Sequence, residues 1–308
     1  MTALIAAEFK RIAARRAVRL CVLVAAVGIV AAGVIAFATS SSVSDATYRQ
    51  EVRAANARVD AQRAAAEQCI QAHGGVAGRD VSPAVRDKCI PVRFASVHDP
   101  RFHRQRLGGI LKGTSGVFAI LGLALGATLL GAEFASRGMT TLLTYEPRRL
   151  RVFAAKVATG MGAMAAFAFV SLVAVALALL PALLLHGAPV HNGDPTWAGV
   201  AGTIGRGTAL VALTTGIGMA IATLGRTTAA ALGTAFAYIV VLEYILGAFL
   251  KSSRAWLLLG NVIVFVSGQS SGGGVSGRSV LGAGIFLALV ATGLIAVAAI
   301  SFRERDIA

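Results

Sequence analysis

VATGMGAMAAFAFVSLVAVALALLPALLL, Val157–Leu185, runs without one charged side chain. As a helix rising about 1.5 Å per residue, this stretch is longer than the roughly 30 Å hydrocarbon core of a bilayer. A membrane β-barrel would instead need alternating segments of about ten residues. Five further apolar runs, of about 20 residues or more, flank this one: Leu20–Thr39, Gly113–Ala132, Ala198–Leu224, Thr227–Leu250 and Val280–Ile300. The pattern predicts an all-α polytopic membrane protein with six transmembrane helices. A seventh stretch, Ala255–Val266, is too short to cross. It reads as a re-entrant or interfacial external hairpin between helices five and six, within 251–278, followed by the Gly/Ser-rich SGQSSGGGVSG.

Composition agrees with the runs. The 308 residues are 56% hydrophobic and 14% charged, with mean hydropathy +0.74. A soluble domain is about 45–50% apolar and about 25% charged. A disordered chain is poor in apolar residues. Length alone suggests about two domains, but the runs extend along the whole sequence and make 1–308 a single membrane domain.

The net charge is +15, from 29 Lys and Arg against 14 Asp and Glu. These bases flank apolar runs and are not interleaved with aromatics, so they report topology and contact with the lipid bilayer rather than nucleic acid. Lys10, Arg11, Arg15, Arg16 and Arg19 lie before the first run. Arg137, Arg148, Arg149, Arg151 and Lys156 lie between the second and third, and Arg303 and Arg305 follow the sixth. The short loop 186–197 has no Lys or Arg. The charge rule therefore puts both termini in the cytoplasm and 41–112 outside, in a multi-pass protein of the cell membrane. Residues 1–19 alternate apolar and basic positions at helical spacing, as an amphipathic elbow helix lying in the headgroup plane does. Segment 41–112 reads as a helical extracellular insertion between helices one and two.

Catalytic and cofactor chemistry finds no support. GGILKGTS, Gly108–Ser115, has the glycine spacing of a phosphate-binding loop, but Thr114 stands where the lysine must be and the segment enters a membrane span. His73, His98, His103, His186 and His191 fall at no metal-ligand spacing, and the three cysteines form no CxxC pair. His98, Asp99 and His103 read as a solvated external loop. No catalytic residue, metal or cofactor is assigned to this chain. Cys69 and Cys89 both fall in the segment placed outside, an oxidising compartment, which predicts a disulfide; Cys21 falls in the first run.

Two charges lie at membrane depth, Arg206 in the fourth run and Glu243 in the fifth, at matched distances from the outer ends of antiparallel neighbours. They are read first as an intramembrane ion pair. Lining of a substrate path and snorkelling are the other readings. Glu133 stands at the cytoplasmic end of the second run, where an interfacial position costs little. Small-residue pairs at Gly122–Gly126 and Gly202–Gly205 suit close helix contacts.

The cytoplasmic connection, within 133–156, reads GAEFASRGMTTLLTYEPRRLRVFAAK over Gly131–Lys156. Met139, Leu142 and Leu143 recur at helical spacing and Pro147 ends the helix. On physical grounds such a helix is either an element against which a soluble partner pushes or a lipid-surface anchor. The stretch resembles the intracellular loop of the ABC-2 type transporter permeases: an acid, Gly-Thr, a Leu-Leu pair, Pro, a basic residue and a lysine opening the next span. Here these are Glu133, Gly138 (followed by Met139 rather than Thr), Leu142–Leu143, Pro147, Arg148–Arg149 and Lys156. LLTYEPRR, and HDPRF at His98–Phe102, are similar to permeases of high-GC actinobacteria.

The resemblance implies a permease subunit of an ATP-driven transporter, coupled to its ATPase through Glu133, Arg137, Gly138, Leu142, Leu143, Tyr145, Glu146, Pro147, Arg148 and Arg149. It implies two copies of a cytoplasmic ATPase that bind ATP and Mg, and a second permease, identical or paralogous. The cargo expected is a hydrophobic or amphipathic small molecule or a lipid, moved outward. An ion-gradient-driven carrier or channel, with Glu243 as its feature, is one alternative. A mechanotransmitting or signalling permease acting through 41–112 is the other.

Overall fold

The computed structural model describes residues 8–9, 11–12, 14–72, 89, 99–136, 148–190, 193–246, 249, 256–270 and 278–304. Among the described residues, eight α-helices with defined bounds follow one another: α1 (Arg16–Ala38), α2 (Asp45–Ala72), α3 (Arg104–Ala135), α4 (Arg149–Leu185), α5 (Trp197–Gly225), α6 (Thr228–Ala237), α7 (Leu258–Ser267) and α8 (Val280–Glu304). A π-helix, Tyr238–Leu246, continues α6. No strand occurs among the described residues.

Among the described residues five of the six expected spans are helices long and apolar enough to cross: α1, α3, α4, α5 and α8. The fifth expected run, Thr227–Leu250, is divided between α6 and the π-helix, so no single α-helix in it reaches membrane length among the described residues. Residues 104–112 are the first turns of α3, whose 32 residues extend about 48 Å, well past the apolar run. GGILKGTS is therefore continuous helix rather than a loop.

Turns are set by local chemistry. Thr196 and Thr227 cap α5 and α6, their hydroxyls accepting from the amides of Gly199 and Ala230, each at 3.1 Å. Arg226, between α5 and α6, takes the left-handed conformation at φ 56°.

The core centres on α5, which packs against α3, α4 and α8, while α1 packs on α4 alone among the major helix pairs. α3 and α5 touch backbone to backbone. A Cβ on Gly126 would run into the carbonyl of Thr215, and one on Gly218 into that of Leu123. In a bilayer no hydrophobic force drives helices together, and such close approach is where dispersion gains are made. Gly122 also lies in this contact, but Gly202 and Gly205 do not. Gly205 has nothing within 4 Å, and Gly202 meets only the side chain of Arg206.

α1, α4 and α8 begin or end at one extremity, here termed the elbow end, where Glu8 also lies. The opposite extremity carries α2. There Asp99, Pro100, Arg101 and Phe102 form a knot, not a solvated loop, while His98 lies outside the described residues. The Arg101 side chain, 4% exposed, pairs with Asp99 at 2.8 Å and with Asp45 at the start of α2, and its guanidinium lies 4.3 Å from the Tyr48 ring. His103 Nε2 is 3.0 Å from Asp99 Oδ2. Burial works to raise the Asp99 pKa, but hydrogen bonds from Arg101 and the charges of Arg101 and His103 outweigh it and hold it down at about 2. The same contacts push the Arg101 pKa upward. Phe102 exchanges backbone hydrogen bonds with His186 and Ala188 beyond α4, and His186 stacks on Phe37 and meets Ser40 at the end of α1. The four residues 99–102 thus tie α1, α2 and α4 together at the insertion end.

Candidate functional site

At the elbow end five side chains of alternating sign form a chain: Arg11, Glu8, Lys156, Glu133 and Arg15. Glu8 Oε1 lies 3.4 Å from Arg11 and 3.0 Å from the Lys156 ammonium. Glu133 Oε2 lies 2.8 Å from the same ammonium, and its Oε1 lies 3.2 Å from Arg15. Exposure falls from the ends inward: 60% at Arg11 and 30% at Arg15, but 7% at Glu8, 17% at Glu133 and 4% at Lys156. A buried ammonium is tolerable when carboxylates surround it, and here two do.

Each member has a structural reason for its position. Lys156 sits two turns inside α4, so its side chain reaches back toward the start of that helix. Glu133 lies in the last turn of α3. Arg15 is the N-cap of α1, with extended backbone at ψ 130°, and breaks the chain between the elbow residues and α1. Its guanidinium also donates to the carbonyls of Thr128 and Leu129 of α3, both at 3.3 Å. The sequence-stretch before α1 is therefore fastened to α3 and α4 at once. Those are the two helices that lead into and out of the 137–147 connection.

Of the expected coupling residues, Glu133, Arg148 and Arg149 are described. Arg148 precedes α4 as its N-cap and Arg149 opens it. Arg137, Gly138, Leu142, Leu143, Tyr145, Glu146 and Pro147 lie outside the described residues. Glu133 is no idle interfacial acid, since it holds both Lys156 and Arg15. Glu8 and Arg15 carry no mark in the loop motif. The one signal for Glu8 was its being the only acid in a basic elbow.

Arg206 and Glu243 are not brought together. Arg206, half-buried on α5, donates to the Thr203 hydroxyl at 3.3 Å and lies against Gly268, whose φ of 70° ends α7. Glu243, on the π-helix, accepts from the Leu259 amide at 2.7 Å, while the Tyr238 hydroxyl accepts from the Leu258 amide at 3.2 Å. Leu257, the N-cap of α7, has no side chain able to cap. Glu243 and Tyr238 take that role from another helix, satisfying two of the four amides that a helix start leaves open. The depth argument aligned Arg206 and Glu243 along the membrane normal, but α7 lies between their tasks.

Cys69, at the end of α2, is disulfide-bonded to Cys89 with Cα atoms 5.5 Å apart, and Cys21 is free. Among the described residues no group of three or more His, Cys, Asp and Glu is placed to hold a metal.

A family model described as ABC-2 family transporter protein matches residues 2–277. No curated protein and no solved structure matches.

Proposed function

Because the chain belongs to the ABC-2 family of transporter proteins, we propose that it is the membrane-spanning permease subunit of an exporter driven by a separate ATPase. Two permease chains, identical or paralogous, pair with two cytoplasmic ATPase chains. The cargo is a hydrophobic or amphipathic small molecule or a lipid. Both termini face the cytoplasm of the cell membrane, and α2 stands outside.

The observation that carries this reading is the buried charge chain. An ATPase pressing on the 137–147 connection displaces the ends of α3 and α4, and Glu133 and Lys156 pass that displacement to Glu8 and Arg15. The close α3–α5 contact makes the two helices shift as a packed unit rather than bend, as two-state switching requires. The ATPase supplies ATP hydrolysis; this chain supplies the path and the lever.

A second reading has its own support. α2 is 28 residues long and packs extensively on no other described helix, yet it is fixed at its start by Arg101 and at its end by the disulfide. A rigid arm so fixed suits transmission of a signal to an external protein without movement of cargo.

The test is affinity purification of the tagged full chain from its native membrane, with ATP hydrolysis assayed in the eluate. An ATPase co-eluting with the wild type and lost from Leu143→Asp supports the reading. A chain that elutes without ATPase and transports in ATP-depleted vesicles is an ion-gradient carrier instead. ATPase activity stimulated only by an external protein favours the signalling reading.

A further inference from the structure

Arg206 is a cation within a membrane span that has no carboxylate beside it. It lies on α5, nine residues in from Trp197 and so about 14 Å along the helix. Among the described residues it makes no ion pair. Nη2 donates to the Thr203 hydroxyl at 3.3 Å, while Nε is fully buried and has no acceptor. Nη1, beside Gly202, is also unbonded and, unlike Nε, is open. A charge so placed is costly and marks a functional position by default. Snorkelling does not account for it, because Nη2 rests on Thr203, still about 9 Å inside the start of α5. The end of α7 accounts for it only in part. Gly268 leaves clear the space that the guanidinium fills, since a Cβ there would fall 2.5 Å from Nη2. The negative end of the α7 dipole then offsets about half a unit charge.

The surroundings select the chemistry that this cation recognises. The edge formed by Nη1 and Nη2 is a planar fork that matches the paired oxygens of a carboxylate or phosphate. Beside Arg206, α5 presents only small residues: Ala201, Gly205 and Ala209 are exposed, and Gly205 has nothing within 4 Å. One turn deeper, Leu210 closes against Ala119, Val266 and Leu287 in a buried apolar layer. A small hydrated ion would exchange its water for methyl groups and glycine backbone. An amphiphile instead pairs its headgroup with the fork and lays its apolar body along Gly205 and Ala209.

We propose that Arg206 is the headgroup site of an anionic amphiphile, a carboxylate or phosphate carried on an apolar body, and that this is the class of cargo. The cargo assignment rests on the exporter reading above; the site itself rests on the unpaired guanidinium and the open small-residue face beside it.

The experiment uses the full chain in neutral phosphatidylcholine nanodiscs and compares dansyl-undecanoic acid with its uncharged methyl ester by fluorescence titration. The wild type is expected to bind the acid about tenfold or more tightly than the ester, the worth of one charge-assisted hydrogen bond. Arg206→Gln should bind the two alike, and Arg206→Lys, which keeps the charge but loses the fork, should fall between. Arg53→Gln, on α2, should behave as the wild type. Because no carboxylate is stranded, Arg206→Gln should melt no lower than the wild type. Equal binding of acid and ester by the wild type overturns the site, as does an acid preference kept in Arg206→Gln; a lowered melt alongside would make the cation a structural tie to α7. Equal loss in Arg53→Gln overturns it as unspecific attraction, and displacement of the acid by millimolar inorganic phosphate overturns it in favour of a free-anion site. In the chain purified with its ATPase, release of the bound acid on adding ATP and Mg supports the cargo assignment. Retention through turnover assigns the site to a resident lipid and overturns that class of cargo. A wild type that prefers the acid but brings no ATPase keeps the site and overturns the exporter reading.

Discussion

Replacing Lys156 by methionine should unfold the elbow end while leaving its hydrocarbon contacts in place. The ammonium lies 3.0 Å from Glu8 Oε1 and 2.8 Å from Glu133 Oε2, with 4% of its side chain exposed. Without it, two carboxylates confront one another within about 6 Å, a separation bounded by those two distances. At an effective dielectric of about 20, two unit charges at that distance repel by about 3 kcal/mol. Breaking a buried pair by removing one partner costs about 3–5 kcal/mol for the same reason. Arg11 and Arg15 offset part of the repulsion, so about 3 kcal/mol is expected. The assay is equilibrium unfolding in mixed micelles, comparing Lys156→Met, Glu133→Gln and the double variant. Because Glu133→Gln removes one of the stranded charges, the double should be more stable than the sum of the singles predicts, by at least about 1.5 kcal/mol. A Lys156→Met protein within about 0.5 kcal/mol of wild type, or strict additivity in the double, refutes the cluster as a joint.

Other regions make separate claims. Glu243→Ala removes the borrowed cap of α7, worth about 1 kcal/mol, and hydrogen exchange at the Leu259 amide should quicken roughly fivefold with little change elsewhere. Gly126→Leu forces α3 from α5 at a cost of about 1–3 kcal/mol, whereas Gly205→Ala, with open space around it, should be silent in the same melt. Asp99 has its folded pKa lowered to about 2 from 3.8, so its contribution is complete above about pH 4 and lost as pH falls through about 2; Asp99→Asn should flatten the acid limb of the stability profile. Thiol labelling of denatured, unreduced protein should find Cys21 alone, and Cys69→Ser should lower stability by about 3 kcal/mol through the 20-residue loop it opens.

Much of this molecule was legible from order along the chain. Apolar run length and charge flanking depend on neighbours within one helix, so the runs that became α1, α3, α4, α5 and α8 were visible, as were the short length of α7 and the special character of Gly131–Lys156. The disulfide needed only a count of cysteines and a side of the membrane. What the chain order could not reveal was which charge meets which. Glu8 and Lys156 are 148 positions apart, and Arg15 and Glu133 118 apart; no periodicity links them, and they meet because α1, α3 and α4 converge at one end. Depth along the membrane is readable from residue counts, but rotation about a helix axis is not. Arg206 and Glu243 were matched in depth, and packing turned one toward Thr203 and Gly268 and the other toward the bare start of α7. Likewise Arg101, an ordinary base in sequence, became the centre of the knot at the insertion end only because the folded chain carried Asp45 and Tyr48 to it. Local hydrophobicity determined where the helices run; tertiary packing decided what their charges do, because ion pairs are made across helices whose facing sides only the assembled bundle defines.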